Sequence, residues 1–264
     1  LPNATVMMGV PTQYTRLIAD DRFTTDVCAS VRLFTSGSAP MTEAVHADFT
    51  ARTGLQILER YGMTEAGMIT SNPYDGERVP GTVGFPLPGV ELRVSDDNGA
   101  PVPNGQTGVV EIRSPGLFAG YWQMPEKTAT EHRDGGWFIT GDVGSVDAAG
   151  RLTLEGRSSD MIISGGYNVY PKEIEMVLDE VPGVLETGVI GVPHPDFGEA
   201  VIAIVVRDGS ADLTDGQLAS ALDGVLARFK HPMQYIDASE LPRNAMSKVQ
   251  KASLRAEHAT LFTG

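Results

Sequence analysis

Residues 156–175 read Gly-Arg-Ser-Ser-Asp-Met-Ile-Ile-Ser-Gly-Gly-Tyr-Asn-Val-Tyr-Pro-Lys-Glu-Ile-Glu, and the organisation of the chain follows from them. The apolar residues 161–163 predict a short strand, which runs into a Ser-Gly-Gly turn. A helix is predicted from Pro171, because the missing N–H of proline suits a first helical position. Glu173 and Glu175 fall in its first turn, where the helix dipole favours negative charge. The stretch therefore opens a new unit of structure.

The composition describes an acidic globular protein. The 264 residues include 20 basic and 34 acidic side chains, which gives a net charge of −14, and 41% are hydrophobic. This size suits one large domain or two moderate ones. The negative charge argues against nucleic acid or an anionic membrane as a partner.

Two further features bear on compartment and membrane. The longest apolar run, Val201 to Val206, is too short to span a bilayer. The single cysteine, Cys28, excludes an internal disulfide and favours a reducing compartment, which we take to be the cytoplasm. We expect Cys28 to fill space in the core.

Residues 1–70 alternate strands with helices. Strands are predicted at 6–9, 31–34 and 55–58, and helices at 14–18 and 42–52, the second capped by Thr42 and followed by Gly54. Such alternation predicts an α/β subdomain with a mainly parallel sheet. Polar motifs that follow the strands should then lie at the sheet edge where open α/β sheets bind ligands.

The remainder divides into two regions of different character. Residues 71–156 are rich in Gly and Pro, and short runs of alternating apolar residues predict a β-rich, barrel-like subdomain. Residues 157–160 are the predicted hinge, and residues 161–264 a smaller α+β domain. In it we expect paired strands at 189–192 and 201–206, a helical stripe from Leu218 to Phe229, and a final helix after Val249.

Ordered motifs give the chain a family resemblance. They are Ser36-Gly-Ser-Ala-Pro40, Glu59-Arg-Tyr-Gly-Met-Thr-Glu65, Trp137-Phe-Ile-Thr-Gly-Asp142, the stretch 156–175 and Leu241-Pro-Arg-Asn-Ala-Met-Ser-Lys248. In this order and spacing the chain resembles the adenylate-forming superfamily, which includes acyl-CoA synthetases, peptide-synthetase adenylation domains and firefly luciferase. The resemblance implies the luciferase-like fold, C-terminal portion, with a mobile C-terminal domain that turns at Ser159.

The resemblance implies a nucleotide site for ATP. Tyr61 would flank the adenine, Thr64 would meet the α-phosphate, and Glu65 would help to hold Mg²⁺, a cation that prefers carboxylate oxygens. Asp142 would accept hydrogen bonds from the ribose hydroxyls, and Arg157 would donate to ribose or phosphate. The full set implied for the nucleotide is Ser38, Ala39, Pro40, Glu59, Arg60, Tyr61, Gly62, Met63, Thr64, Asp142, Arg157 and Lys248. By themselves, the same residues would be a polar loop, turn residues and surface charges.

Lys248 is the implied catalytic lysine, together with Thr64 and Glu65. Its ammonium would neutralise charge that builds up on the α-phosphorus and the leaving pyrophosphate. Two positions depart from the family: Ser247 precedes this lysine where Gly is usual, and Ser159 stands at the hinge where Asp or Lys is common. Both departures bear on turnover more than on fold.

Coenzyme A is the implied second substrate. Ser164, Gly165, Gly166 and Lys172 would bind it, and the Ser-Gly-Gly run would leave room for its slim pantetheine arm. The two glycines are equally consistent with a tight turn that needs positive φ, and both roles can hold together.

The acid pocket is assigned to Arg16, Ser38 and Met68. Three segments, 10–17, 71–81 and 165–173, resemble those of malonyl-CoA synthetases. Malonate has a second carboxylate, which needs a cation such as Arg in its pocket. Arg16 could also be a surface charge. Ala66-Gly67 departs from the larger Thr-Asn pair expected after Glu65.

The function implied is ATP-dependent ligation of a small carboxylic acid, malonate preferred, to coenzyme A through an acyl-adenylate. The alternatives are a medium-chain fatty or aryl acid CoA ligase, a carrier-protein-dependent adenylation domain, and a non-catalytic nucleotide-binding fragment. The chain contains no Ser-Gly-Thr-Thr-Gly-x-Pro-Lys phosphate loop. We therefore expect an upstream segment of the same enzyme as a partner.

Overall fold

The computed structural model describes residues 3–209, 213–244 and 248–263. The chain divides into two compact units, Leu1–Leu154 and Glu155–Gly264. The helices within the described ranges all lack the length and apolar character needed to cross a bilayer.

The first sheet of the first unit is a row in the order β1-β2-β3-β4-β5. Its strands are β1 (Val6–Gly9), β2 (Leu33–Ser36), β3 (Ile57–Met63), β4 (Gly67–Ser71) and β5 (Phe85–Pro86). The pairs β1–β2 and β2–β3 are parallel, as predicted, whereas β3–β4 and β4–β5 are antiparallel. The prediction of a polar loop after residue 58 was wrong, because β3 continues to Met63 and pairs with β4.

Helices connect the parallel strands. They are α1 (Pro11–Ile18), α2 (Thr25–Cys28) and α3 (Glu43–Thr53). The ends of α3 are those predicted: the Thr42 hydroxyl accepts a hydrogen bond from the Val45 N–H at 3.3 Å, and Gly54 closes the helix at φ 70°.

Aromatic rings fill the core between these helices and the sheet. Tyr14, Phe34 and Phe49 pack edge to face, with ring centroids 5.0–6.4 Å apart. Cys28 is 1% exposed within the same cluster, which confirms it as core filler. The Tyr14 hydroxyl donates to the Thr35 carbonyl at 2.7 Å and so ties α1 to β2.

The second sheet of this unit has the order β10-β9-β7-β6, with β8 beside β9. The elements are β6 (Glu91–Ser95), β7 (Gly108–Arg113), α4 (Pro125–Thr130), β8 (His132–Arg133), β9 (Trp137–Val146) and β10 (Leu152–Arg157). The predicted β-rich region is present. Its described strand pairings form an open row rather than the closed ring of a barrel.

The second unit contains a sheet in the order β12-β11-β14-β13, with β15 parallel to β14. Its elements are β11 (Ile162–Ser164), β12 (Tyr167–Val169), α5 (Pro171–Asp179), β13 (Val184–His194), β14 (Gly198–Arg207), α6 (Asp215–Leu222), β15 (Gln234–Ala238) and α7 (Lys251–Glu257). Two single turns of 3₁₀ helix lie at Ser158–Asp160 and Arg228–Lys230.

The long hairpin β13–β14 is apolar on both faces. Val189 and Val201 pack with α5 and α6 on one face, while Ile190 and Ile202 pack with Leu254 of α7 on the other. The predicted strand pair and final helix are therefore confirmed. The predicted helical stripe is wrong beyond Leu222, because α6 ends there and Gly224 has φ 76°.

Candidate active site

The motif at 59–65 lies on the β3–β4 hairpin. Gly62 has no room for a side chain, since a Cβ there would lie 2.4 Å from the Gly67 carbonyl oxygen. Gly67 takes φ 69°, which glycine adopts without strain. Thr64 is exposed in the turn, and Met63 is half-buried against the core below.

Tyr61 joins this motif to a second one. Its hydroxyl donates to a carboxylate oxygen of Asp142 in β9 at 2.5 Å, and both residues are 7% exposed. Asp142 is itself fixed by its backbone N–H, which donates to the Thr140 hydroxyl at 3.1 Å. The predicted adenine-flanking and ribose-binding side chains are thus in direct contact.

Glu59 has buried partners of its own. It is 3% exposed, and its carboxylate lies 2.7 Å from Nε2 of His46 and accepts hydrogen bonds from the backbone N–H groups of Met41 and Gly81. The side chain therefore organises the interior. The part of Glu59 in the nucleotide site stays a prediction, and no local pattern in the sequence pointed to His46 as its partner.

The loop 36–40 follows β2. Ser38 has φ 68°, a left-handed conformation that costs a non-glycine residue about 1–2 kcal/mol, and such strain concentrates at functional sites. Ser38 and Ala39 are exposed, and Pro40 is half-buried. A Cβ at Gly37 would lie 3.3 Å from the Arg60 carbonyl oxygen, so this loop runs beside β3.

Glu65 has partners that the sequence analysis missed. The hydroxyl of Tyr121 lies 3.1 Å from a carboxylate oxygen of Glu65 and 2.6 Å from one of Glu131. Burial and these two carboxylates raise the pKa of Tyr121, so the phenol keeps its proton. Residues 121–131 carry none of the motifs quoted above, and spacing within one segment could not connect them to Glu65.

The oxygen donors around Glu65 suit a hard cation. In the described part of the chain, no group of three or more His, Cys, Asp or Glu side chains could hold a metal alone. The Glu65 carboxylate offers the kind of oxygen that Mg²⁺ prefers, and its role as a ligand stays a prediction.

Arg16 is exposed on α1 and lines a shallow cavity, open to solvent, of about 310 Å³ with Met7, Gln13, Leu17 and Asp20. Asp20 is paired with Arg22 at 2.6 Å, and the hydrogen bonds from Arg22 lower the pKa of Asp20 to about 2. Among the described residues, neither Ser38 nor Met68 lines this cavity. Met68 is 42% exposed on β4.

In the second unit, Gly165 and Gly166 form the two-residue turn between β11 and β12, with φ 58° and 82°. A Cβ at Gly166 would meet nothing within 4 Å, so positive φ rather than crowding selects glycine there. The predicted tight turn is confirmed, while the CoA role of Ser164–Gly166 stays a prediction.

Lys172 faces a buried carboxylate. Its ammonium lies 3.5 Å from Glu175, which is 5% exposed and also pairs with Lys251 at 2.6 Å. The two lysines hold the pKa of Glu175 below its usual range, against the effect of burial. Lys172 therefore stabilises α5, and its CoA role stays a prediction.

Lys248 is exposed at the base of a loop. Its N–H donates to the Asn244 side-chain oxygen at 3.0 Å, and its carbonyl accepts from the Asn244 N–H at 2.9 Å. Ser247 lies outside the described residues. Arg157 ends β10 and Ser159 lies in the following 3₁₀ turn, both exposed.

Two family models match the chain. The model of the AMP-binding enzymes matches residues 2–122, and the model of their C-terminal domain matches residues 173–248. One match lies in each unit, and the motifs at 36–40, 59–65 and 241–248 fall within the two matched ranges, whereas residues 137–142 lie between them.

Individual relatives agree. A malonate–CoA ligase of Arabidopsis thaliana is 41% identical over 95% of this chain and 44% of its own length. A long-chain-fatty-acid–CoA ligase of Yersinia pestis is 37% identical over 98% of this chain and 46% of its own length. The ATP-bound MatB structure from Rhodopseudomonas palustris is 53% identical, with a TM-score of 0.95 over 99% of this chain and 52% of that one.

The chain thus spans about half the length of the relatives it matches. Its fold is the adenylate-forming one that the motifs predicted. Since the two family models match successive parts of the chain, it belongs to the AMP-binding enzymes.

Proposed function

We propose that the protein containing this chain ligates a small carboxylic acid, malonate preferred, to coenzyme A through an acyl-adenylate. The observation that carries the proposal is the Tyr61–Asp142 contact, which joins two nucleotide-binding motifs in one buried pair. The relatives named malonate–CoA ligase and the ATP-bound MatB structure support the choice of acid and nucleotide.

The nucleotide lies along the β3–β4 hairpin in this proposal. The Asp142 carboxylate accepts from the ribose hydroxyls, and its oxygens can accept several hydrogen bonds besides the one from Tyr61. The Tyr61 ring flanks the adenine, Thr64 contacts the α-phosphate from its exposed turn, and Arg157 donates to ribose or phosphate. The set is completed by Ser38, Ala39, Pro40, the backbone of Glu59, Arg60, Gly62 and Met63.

Glu65 is the proposed Mg²⁺ ligand. When bound, Mg²⁺ supplies positive charge to the phosphate oxygens of ATP. The part of Glu65 is to present an oxygen from a fixed position, since its backbone carbonyl accepts from the Phe118 N–H at 2.7 Å.

The chemistry runs in two steps. A carboxylate oxygen of the acid attacks the α-phosphorus, the bond to the bridging oxygen breaks, and pyrophosphate leaves; Lys248 meets the charge that develops. The thiol of coenzyme A then attacks the acyl carbon, a thioester forms, its proton passes to solvent, and AMP leaves. Ser164, Gly165, Gly166 and Lys172 are proposed to bind coenzyme A, with Ser159 at the hinge between the steps.

Arg16 is the proposed selector for the second carboxylate of malonate, because it is the cation that lines the cavity beside α1. Ser38 and Met68 are proposed to contact the acid elsewhere. Arg offers two parallel hydrogen bonds to a carboxylate, which a monocarboxylic acid cannot use.

An upstream segment is the proposed partner of this chain, since the family's phosphate loop is absent from the 264 residues. Backbone N–H groups of such a loop would cradle the β- and γ-phosphates. The cytoplasmic location inferred from Cys28 stays a prediction.

The test is pyrophosphate release with ATP, Mg²⁺ and a panel of acids, using this chain joined to an upstream half such as its relatives carry. Release with malonate, followed by malonyl-CoA on addition of coenzyme A, is expected. Preference for a fatty or aryl acid would overturn the choice of malonate. Adenylate that ignores free coenzyme A would indicate a carrier-dependent domain, and nucleotide binding without pyrophosphate release a non-catalytic module.

A further inference from the structure

The hydroxyl of Tyr121 stands between two carboxylates. It lies 2.6 Å from a carboxylate oxygen of Glu131 and 3.1 Å from one of Glu65. A phenol has a single proton to donate in a hydrogen bond. The shorter distance identifies Glu131 as the main acceptor. Glu65 is therefore held by a weaker contact, which leaves its carboxylate able to face a cation.

A residue close to Tyr121 in the chain also binds the backbone of Glu65. The Phe118 N–H donates to the Glu65 carbonyl at 2.7 Å, three positions before Tyr121. Glu65 is thus fixed at both its main chain and its side chain by residues 118–131, here named the clamp segment.

Internal contacts make the clamp segment rigid. The Tyr121 N–H donates to the Thr128 hydroxyl at 2.9 Å, and the Lys127 ammonium lies 4.0 Å from the centre of the Tyr121 ring. The Phe118 ring packs against Tyr121 at 4.8 Å and against the buried Phe138 at 5.6 Å.

The clamp segment is also bonded to the strand that carries Asp142. The Glu131 carbonyl accepts from the Ile139 N–H of β9 at 2.8 Å. One element therefore links the hairpin turn holding Glu65 to the strand holding Asp142, and can set the spacing between the two carboxylates.

We propose that Tyr121 is a positioning residue, which holds the Glu65 carboxylate toward Mg²⁺·ATP through the clamp segment. The inference rests on the proposed function, which gives no role to Tyr121, and it adds this role. Tyr121 acts through Glu65 and contacts no reacting atom.

The test compares wild type with Tyr121→Phe, which keeps the ring and removes the hydroxyl, in the chain joined to its upstream half. Because the Tyr121 hydroxyl is shared with Glu131, its loss should cost Glu65 no more than an ordinary hydrogen bond, which predicts a KM for Mg²⁺·ATP raised about fivefold to tenfold and a KM for malonate within about twofold. Calorimetric titration with ATP should show weaker binding in the presence of Mg²⁺ and no change without it. Tyr74→Phe, an exposed tyrosine that accepts from Arg32, is the matched control.

A double-mutant cycle separates positioning from general damage. In a Glu65→Gln background, Tyr121→Phe should add less than about a twofold effect, because its target has been altered already. Equal effects in both backgrounds, or a calorimetric loss that ignores Mg²⁺, would overturn the inference.

A second variant and the wild-type binding result distinguish misfolding from failure of the inference. If Tyr121→Phe misfolds, Thr128→Val releases the Tyr121 N–H instead, and the same coupling to Glu65→Gln is expected. A wild-type protein that binds no ATP would overturn the proposed function and this inference together. If the wild-type protein binds Mg²⁺·ATP and the Tyr121→Phe variant binds it equally well, the inference alone is overturned.

Discussion

The Tyr61 hydroxyl donates to the Asp142 carboxylate at 2.5 Å although the two residues are 81 positions apart. One belongs to β3 of the first sheet and the other to β9 of the second. The contact therefore ties the two sheets of the first unit together at the proposed nucleotide site.

Tyr61→Phe should weaken both stability and nucleotide binding. Removing the donor from a buried carboxylate should lower the free energy of unfolding by about 1–3 kcal/mol and raise the KM for ATP. Urea denaturation and steady-state kinetics measure the two effects, with Tyr74→Phe as the surface control. An unchanged urea midpoint would show that the Tyr61–Asp142 hydrogen bond does not stabilise the protein in solution.

Lys248→Ala should abolish adenylate formation and spare thioester formation from supplied malonyl-adenylate. The reason is that the ammonium acts on phosphorus chemistry, whereas the second step breaks an acyl–oxygen bond. Single-turnover assays of each half-reaction measure this. Lys230→Ala, which loses a partly buried ion pair with Glu173, is the control. Equal loss of both half-reactions would contradict the assignment of Lys248 to adenylate formation.

Arg16→Met should shift preference away from dicarboxylic acids. A hydrogen-bonded Arg–carboxylate contact is worth roughly 1.5–3 kcal/mol, so the ratio of kcat/KM for malonate over butyrate should fall at least about tenfold. Arg32→Met, an exposed arginine that donates to Tyr74, is the control. A ratio within error of wild type would remove Arg16 as selector, and the malonate proposal with it.

Asp179→Asn should stabilise the second unit at neutral pH. Burial raises the pKa of Asp179 from 3.8 to about 6, against the lowering effects of Lys172 and the Thr187 hydroxyl. Because the folded pKa lies above the unfolded one, the native state binds more protons between these values and stability falls as pH rises from about 4 to 6.

The variant should therefore gain roughly 3 kcal/mol at pH 8 and less than about 1 kcal/mol at pH 4. Its amide oxygen can still accept from Thr187, which donates to the wild-type carboxylate at 2.7 Å. Urea denaturation across this pH range measures the gain, with the exposed Asp223→Asn as control. A gain independent of pH would mean that ionisation of Asp179 is not the cause.

Residues 155–264 should fold as a separate protein. The hairpin β13–β14 carries a core on each of its faces, closed by α5 and α6 on one side and α7 on the other. A cooperative thermal transition with native near-ultraviolet circular dichroism is expected. Non-cooperative melting of this piece would show that its cores depend on the rest of the chain.

The sequence determined the local features by itself. The Thr42 cap and Gly54 end of α3, the Gly165-Gly166 turn and the apolar strands of the β13–β14 hairpin were predictable. Each is encoded by residues adjacent in the chain or repeated at a fixed period. The motif order, likewise, was sufficient for the family.

Tertiary structure decided the rest. Strand β3 runs through Met63 because β4 supplies hydrogen-bond partners, and α6 ends at Leu222 despite apolar residues beyond it. Glu59 turns inward because His46 and backbone N–H groups satisfy its charge there. The Tyr121 hydroxyl meets Glu65, 56 positions away. Such contacts depend on which distant surfaces pack together, and no spacing within one segment contains that information.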